Sequence, residues 1–188
     1  IKKDKLNIDE KFKRKYSNYG VGELKINFNK PYIVVLQHPV TTEYEQIKKN
    51  IEQTIKAALK VRQQIVWLWP NVDAGSDVVS KSIRVVREEK KPKNIRWQKN
   101  YNPEDYLTLI KNASCLVGNS SSGILESSSF KIPTVNLGRR QNKRFRAKNV
   151  IDVMKINHKS IMNAIRKSMS VKFEKEIKNI KNPYGDGK

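Results

Sequence analysis

Short apolar runs of β-branched and aromatic residues recur along this chain, at Tyr32 to Leu36, Ile65 to Trp69 and Cys115 to Val117. Each is followed by a polar turn and then by residues with helical periodicity. Runs of this length with no polar alternation are strands covered on both faces, because a half-exposed strand would show every second residue polar. Strands that alternate with helices pair in parallel through crossover connections. The chain is therefore expected to be α/β, with a parallel sheet and helices on both faces.

The elements follow in order. Residues 1–30 show no sustained period and read as a linker or lead-in, and residues 31–188 as the domain. After Pro31 and the first strand, Ile47, Ile51, Ile55 and Leu59 mark one face of a helix from Glu43 to Val61. Ser76 is expected to cap a helix that runs to Lys90, with Val79, Ile83 and Val86 inward. Ile95 to Trp97 is a short strand. Asn102 and Pro103 then read as a cap and first-turn proline for a helix that ends near Asn112. Thr134 to Leu137 and Val150 to Val153 are further strands, and Asn157 or Ser160 caps a helix through Met169 that buries Ile161, Ala164, Ile165 and Ser168. The tail NPYGDGK has turn chemistry.

The densest stretch is SCLVGNSSSGILESSSFKIPTVNLGRR, from Ser114 to Arg140. A buried strand stops at Gly118, and small residues through Gly123 let a ligand approach the backbone while their hydroxyls cap the next helix. A helix end at the carboxyl edge of a parallel sheet favours an anion such as phosphate. With Ser121 or Ser122 as cap, Glu126 falls too far along for a capping box. It is either a solvated helix residue or an acceptor for ribose hydroxyls. Arg140 offers a planar fork to the same phosphates, with Arg139 and Arg144 as competitors.

His38 and Asn71 each stand just past the end of a buried strand. His38 is either a proton carrier near neutral pH or a loop residue bonded to backbone. His158, before a helix, reads as structural or solvated. Asn71 reads as a turn residue or a ligand contact, and Tyr106 as core or as a stacking platform for a base.

The net charge of +21 raises nucleic acid as a partner. The lysines are spread evenly, however, and no aromatic residues interleave with a basic stripe. We expect no nucleic acid, and a surface that attracts a small polyanion. No apolar segment is long enough to span a membrane and no leader is visible, so a soluble cytoplasmic protein is expected. The one cysteine, Cys115, excludes a disulfide framework and reads as core. Neither metal nor cofactor is expected.

VVLQHPVTTEYEQ, WPNVDAGS, VGNSSSGILES, FKIPTVNLGRRQ, AKNVIDV and NPYGDG, in this order and spacing, resemble the carboxyl-terminal half of the hydrolysing UDP-N-acetylglucosamine 2-epimerases. The resemblance implies a Rossmann-like lobe of a two-lobed GT-B fold, the amino-terminal lobe being absent, as is a final crossing helix. It implies a UDP-sugar substrate and a homo-oligomeric full-length enzyme. It places His38 in the catalytic site, Asn71 against the UDP, Ser120 and Ser121 on phosphate, Glu126 on the ribose, Arg140 on the diphosphate and Tyr106 near the uracil. The implied reaction removes the C2 proton and UDP to leave a glycal, then adds water to give the free 2-epimer. Acids of the absent lobe would share that work, so the chain alone is expected to be inactive. A GT-B glycosyltransferase and a stand-alone module binding UDP or nucleic acid are the alternatives.

Overall fold

Apolar runs without a polar face need cover on both sides, and a computed structural model, which describes residues 10–12, 15–16 and 20–185, shows what provides it. The strands are β1 Gly20–Val21, β2 Tyr32–Leu36, β3 Gln64–Leu68, β4 Ile95–Gln98, β5 Cys115–Gly118, β6 Thr134–Leu137 and β7 Val150–Val153. They form one seven-stranded sheet in the order β1-β4-β3-β2-β5-β6-β7. β2 to β7 are mutually parallel; β1 runs antiparallel on the β4 edge. The parallel part has the doubly wound order, in which the winding direction reverses between β2 and β5.

From residue 47 onward the α-helices among the described residues are α1 Ile47–Ala58, α2 Ser76–Lys90, α3 Pro103–Lys111, α4 Glu126–Phe130, α5 His158–Ser168 and α6 Val171–Ile177. Successive residues of β2 serve opposite faces of the sheet. Ile33 and Val35 pack with Ile47, Ile51, Ile55, Ile83 and Ile161 of α1, α2 and α5. Tyr32, Val34 and Leu36 pack with Leu109 and Ile110 of α3. Burial of each such side chain contributes about 1.5 to 3 kcal/mol, so β2 is the strand the fold can least spare.

Several expectations are corrected. The segment before Pro31 is not merely a lead-in, since Phe12, Tyr16, Ile26 and Phe28 are buried. Its aromatic rings meet edge to face, Phe12 on Phe28 at 5.0 Å and Phe28 on Tyr32 at 5.3 Å, and such packing leaves no period in the sequence. Asp105, fully buried at the start of α3, accepts hydrogen bonds from Tyr16 Oη at 2.6 Å and Lys15 Nζ at 2.7 Å and pairs with Lys11. Residues 1–9 of that segment, and the tail beyond Gly185, lie outside the described residues.

The helix expected from Glu43 begins as a 3₁₀ stretch, Thr41–Gln46, and Leu59 lies beyond its end and half exposed. Ser76 does not cap α2; Gly75 precedes it at φ 87°, where a Cβ would stand 2.6 Å from Ile47 Cδ1. Asn102 and Asn157 do cap α3 and α5, accepting from the Asp105 and Ser160 amides, each at 2.9 Å. Helix α6, capped by Ser170, escaped the sequence reading because Phe173 and Ile177 are its only buried residues. Cys115 is core, and burial pushes its thiol up to about 12. No helix among the described residues is long and apolar enough to cross a membrane.

Candidate functional site

Where the winding of a parallel sheet reverses, the loops leaving neighbouring strands diverge and open a crevice. Here that place lies between His38, after β2, and the turn after β5. Gly118 pairs with Leu36 at φ 144°, and a Cβ on it would stand 1.8 Å from the Leu36 carbonyl oxygen. Only glycine permits that approach.

The next residue, Asn119, joins three loops. Its side chain is 2% exposed. Its Oδ1 accepts the His38 amide at 2.7 Å, and its Nδ2 donates to the His38 carbonyl at 2.9 Å. Its own carbonyl accepts Gln141 Nε2 at 2.8 Å and Arg140 Nη1 at 3.2 Å, both from the loop after β6. Asn71, after β3, brings in a fourth loop by donating its amide to His38 Nδ1 at 3.4 Å. The side chain of Asn71 is exposed, so its tie to the site is through the main chain.

With Nδ1 accepting, the neutral His38 ring carries its proton on Nε2. Burial, with the Arg140 guanidinium second and Asp73 opposing, pushes the His38 pKa down to about 4. With that shift the ring is neutral near pH 7 and presents Nε2–H as a donor group. Beside it opens a cleft of about 490 Å³, lined by Thr41, Thr42, Glu43, Asp73, Arg139 and Arg140. Arg139 shares the cleft, but Arg140 is the arginine that reaches Asn119.

The other half of the site gathers around Ser120. Ser120 caps a 3₁₀ turn, Ser121–Gly123, and its hydroxyl accepts the Ser122 amide at 3.4 Å. Ser121 contributes its carbonyl, which accepts the Ile124 and Leu125 amides at 2.8 and 2.9 Å. The Tyr106 hydroxyl lies among the Ser122 and Ser120 hydroxyls and the Glu126 carboxylate, and burial raises its pKa. It completes no hydrogen bond with them, and Glu126 Oε2 is likewise buried with no partner among the described residues. Glu126 begins α4 rather than standing fourth or fifth in a helix capped by Ser121 or Ser122. A helix of five residues after a 3₁₀ turn has little macrodipole, so the groups beside the turn that are able to pair with an anion are the serine hydroxyls and Arg140 rather than a helix end.

The structure thus brings His38, Asn71, Ser120 and Arg140 together through Asn119, and sets Tyr106 and Glu126 beside Ser120. His158 stands apart, its Nδ1 3.1 Å from Gln53 Oε1. The sequence reading missed Asn119 and Gln141. Asn119 carried the signal that had singled out His38 and Asn71, a polar residue just past a buried strand. Gln141 carried none, since nothing local marks a buried glutamine in a loop of arginines. Among the described residues no three His, Cys, Asp or Glu side chains gather as a metal site.

Known proteins place this geometry in context. A family model described as UDP-N-acetylglucosamine 2-epimerase matches residues 1–188. A curated relative from Legionella pneumophila, named UDP-N,N'-diacetylbacillosamine 2-epimerase (hydrolyzing), is 34% identical over 183 residues, covering 96% of this chain and 46% of the relative. Polysialic acid biosynthesis protein P7 of Escherichia coli is 33% identical over 167 residues, covering 86% and 42%. The chain spans about half the length of the curated relatives it matches. Among solved structures, the UDP-GlcNAc 2-epimerase of Neisseria meningitidis bound to UDP-GlcNAc superposes with TM-score 0.72 at 17% identity, covering 96% of this chain and 46% of that one. The enzyme of Methanocaldococcus jannaschii in complex with UDP-GlcNAc and UDP gives 0.64 at 17%, covering 99% and 48%. The fold is that of one lobe of a GT-B architecture. With its whole length matched by the family model, the chain belongs to the UDP-N-acetylglucosamine 2-epimerase family.

Proposed function

We propose that this chain is the UDP-binding lobe of a hydrolysing 2-epimerase. The full protein would convert UDP-N-acetylglucosamine, or a related UDP-acetamido sugar such as UDP-N,N'-diacetylbacillosamine, to the free 2-epimer and UDP. The observation that carries this reading is the Asn119 junction. One asparagine locks the His38 loop by hydrogen bonds of 2.7 and 2.9 Å while Arg140 and Gln141 bind its carbonyl. The His38 hydrogen-bond donor and the proposed phosphate-binding arginine thus share one support. The "hydrolyzing" named for the Legionella pneumophila relative, 34% identical to this chain, supports the reaction type.

In the proposed reaction the C2 proton leaves to a base and the C1–O bond breaks toward UDP. Water then adds its hydroxyl to C1 and a proton to the opposite face of C2. Charge grows on the diphosphate as the bond breaks, and groups already aimed there lower the barrier. Ser120, Ser121 and Arg140 take the diphosphate, Glu126 the ribose, Tyr106 the uracil edge, and Asn71 the nucleotide from the loop after β3. A buried neutral imidazole held below its usual pKa is a weak base but a good donor. His38 therefore offers Nε2–H to oxygen at the reacting centre, and the C2 base belongs to acids outside this chain. The full protein is proposed to be a cytoplasmic homo-oligomer.

Calorimetry tests the binding half of this proposal. UDP should bind more tightly than uridine, and Arg140→Ala should weaken UDP by about 1.5 to 3 kcal/mol, the range for hydrogen bonds to charged groups. Equal affinity for UDP and uridine would remove the phosphate site, and an unchanged Arg140→Ala protein would hand the role to Arg139 or Arg144. The chain alone should release no UDP from UDP-N-acetylglucosamine. Turnover by these 188 residues would put the base within them, at Asp73, Glu43 or Glu126.

A further inference from the structure

Two motifs, AKNVIDV and NPYGDG, contribute no group to the ligand site, yet each sends an asparagine to the same short helix. α4 has five residues, no side-chain cap at its start, and Lys131 in left-handed backbone at its end. Helices this short have almost no stability of their own. α4 nevertheless opens with Glu126, whose buried Oε2 has no partner among the described residues. Something outside the helix must hold that carboxylate in place.

On the inner face Asn149, fully buried, donates through Nδ2 to Ser127 Oγ at 3.0 Å and to the Ile132 carbonyl at 2.7 Å. Its Oδ1 lies 3.2 Å from Ser128 Oγ, whose single proton it shares with the nearer Ile124 carbonyl. Ser127 and Ser128 donate in turn to the Gly123 and Ile124 carbonyls, each at 2.8 Å, which ties in the turn that follows Ser120. On the outer face the half-buried Asn182 donates through Nδ2 to the Leu125 carbonyl at 3.1 Å and to Ser129 Oγ at 2.7 Å. The same turn sends Tyr184 Oη to the Phe145 carbonyl at 3.1 Å, in the loop that carries Arg140.

We infer that Asn149 and Asn182 are positioning residues that clamp α4 from its two faces and so set the Glu126 carboxylate for the nucleoside of the bound nucleotide. This inference rests on the reading of Glu126 as a ribose contact. Fully satisfied buried polar networks rigidify what they hold, and a misplaced acceptor forfeits its bond to the ligand.

Calorimetry with UDP and with inorganic pyrophosphate on the full chain tests it, using Asn149→Ala, Asn182→Ala, Glu126→Gln and the Asn182→Ala/Glu126→Gln double variant. Each asparagine variant should bind UDP about tenfold more weakly, one charged hydrogen bond's worth, and pyrophosphate within about twofold of the parent. The double variant should bind UDP no worse than Glu126→Gln alone. Hydrogen exchange at the Ile124 to Ile132 amides should speed up in both asparagine variants. Asn182 lies near the surface, so its variant carries the test even if Asn149→Ala does not fold. Unchanged UDP affinity in Asn182→Ala overturns the inference, as does an equal loss of UDP and pyrophosphate, or a loss additive with Glu126→Gln. A parent chain that binds UDP no better than pyrophosphate overturns the ribose reading itself, and the inference with it.

Discussion

Two buried polar centres in this lobe look alike by composition and differ in what they are for. At Asp105 a fully buried carboxylate meets Tyr16, Lys15 and Lys11, all from the segment before the first parallel strand. Those partners hold its carboxyl well below the usual carboxylate range despite burial. Around Asn119 and Ser120, main-chain groups are satisfied, but the buried atoms Glu126 Oε2, the Tyr106 hydroxyl and Gln141 Oε1 have no partner among the described residues. A charge matched by its own chain staples one segment to another. Buried polar groups left unmatched cost about 1 to 3 kcal/mol each, a cost a ligand can offset. Burial alone does not separate a staple from a site; here Asp105 has two lysines of its own chain beside it, while Glu126 Oε2 has no partner among the described residues.

The largest expected effect falls at the junction. Asn119→Ala strips the His38 amide and carbonyl of their partners, and two buried main-chain groups left bare should lower stability by about 4 kcal/mol in urea titration. UDP binding should be lost with it. Near-parent stability would mean that the His38 loop is held by its strand alone.

Next comes a pH effect. The His38 pKa falls from 6.5 in the unfolded chain to about 4 in the fold, so below pH 6.5 the unfolded state takes up a proton that the folded state refuses. Stability should drop as pH falls from about 6.5 to 4, by about 3 kcal/mol in all, and then level off for this group. His38→Asn should flatten that window when unfolding is followed across it. Asp105 leaves the window untouched, because its carboxyl, depressed in the fold, destabilises only as pH falls below the unfolded value of 3.8. An equally steep loss in His38→Asn would assign the titration elsewhere.

The smallest effect separates the two centres most cleanly. Asp105→Asn keeps an acceptor for Tyr16, and Lys11 and Lys15, each about half exposed, can return to water. A stability loss of about 2 kcal/mol is expected, with UDP affinity unchanged by calorimetry. A fall in UDP affinity would show that the stapled segment also shapes the site.

Local signals were enough for much of the fold. The strand cores, the caps Asn102 and Asn157 and the stripe Ile47, Ile51 and Ile55 could be read because short-range sterics, capping and periodicity act within a few residues. The polar residues at the strand ends were legible for the same reason. The antiparallel β1, the aromatic cluster of Phe12 and Phe28, and α6 were not, since their stability comes from contacts with distant residues rather than from a local pattern.

What the sequence determined by itself was the alternation of buried strands and amphipathic helices, and with it a parallel sheet whose loops meet along one edge. Tertiary structure alone decided the strand order that puts His38 next to Asn119, and hence which arginine reaches the junction. It also decided the burial that keeps the His38 ring neutral. The reason is that a pKa or a hydrogen-bond partner depends on groups within a few ångströms, and here those groups lie as far apart in the chain as His38 and Arg140.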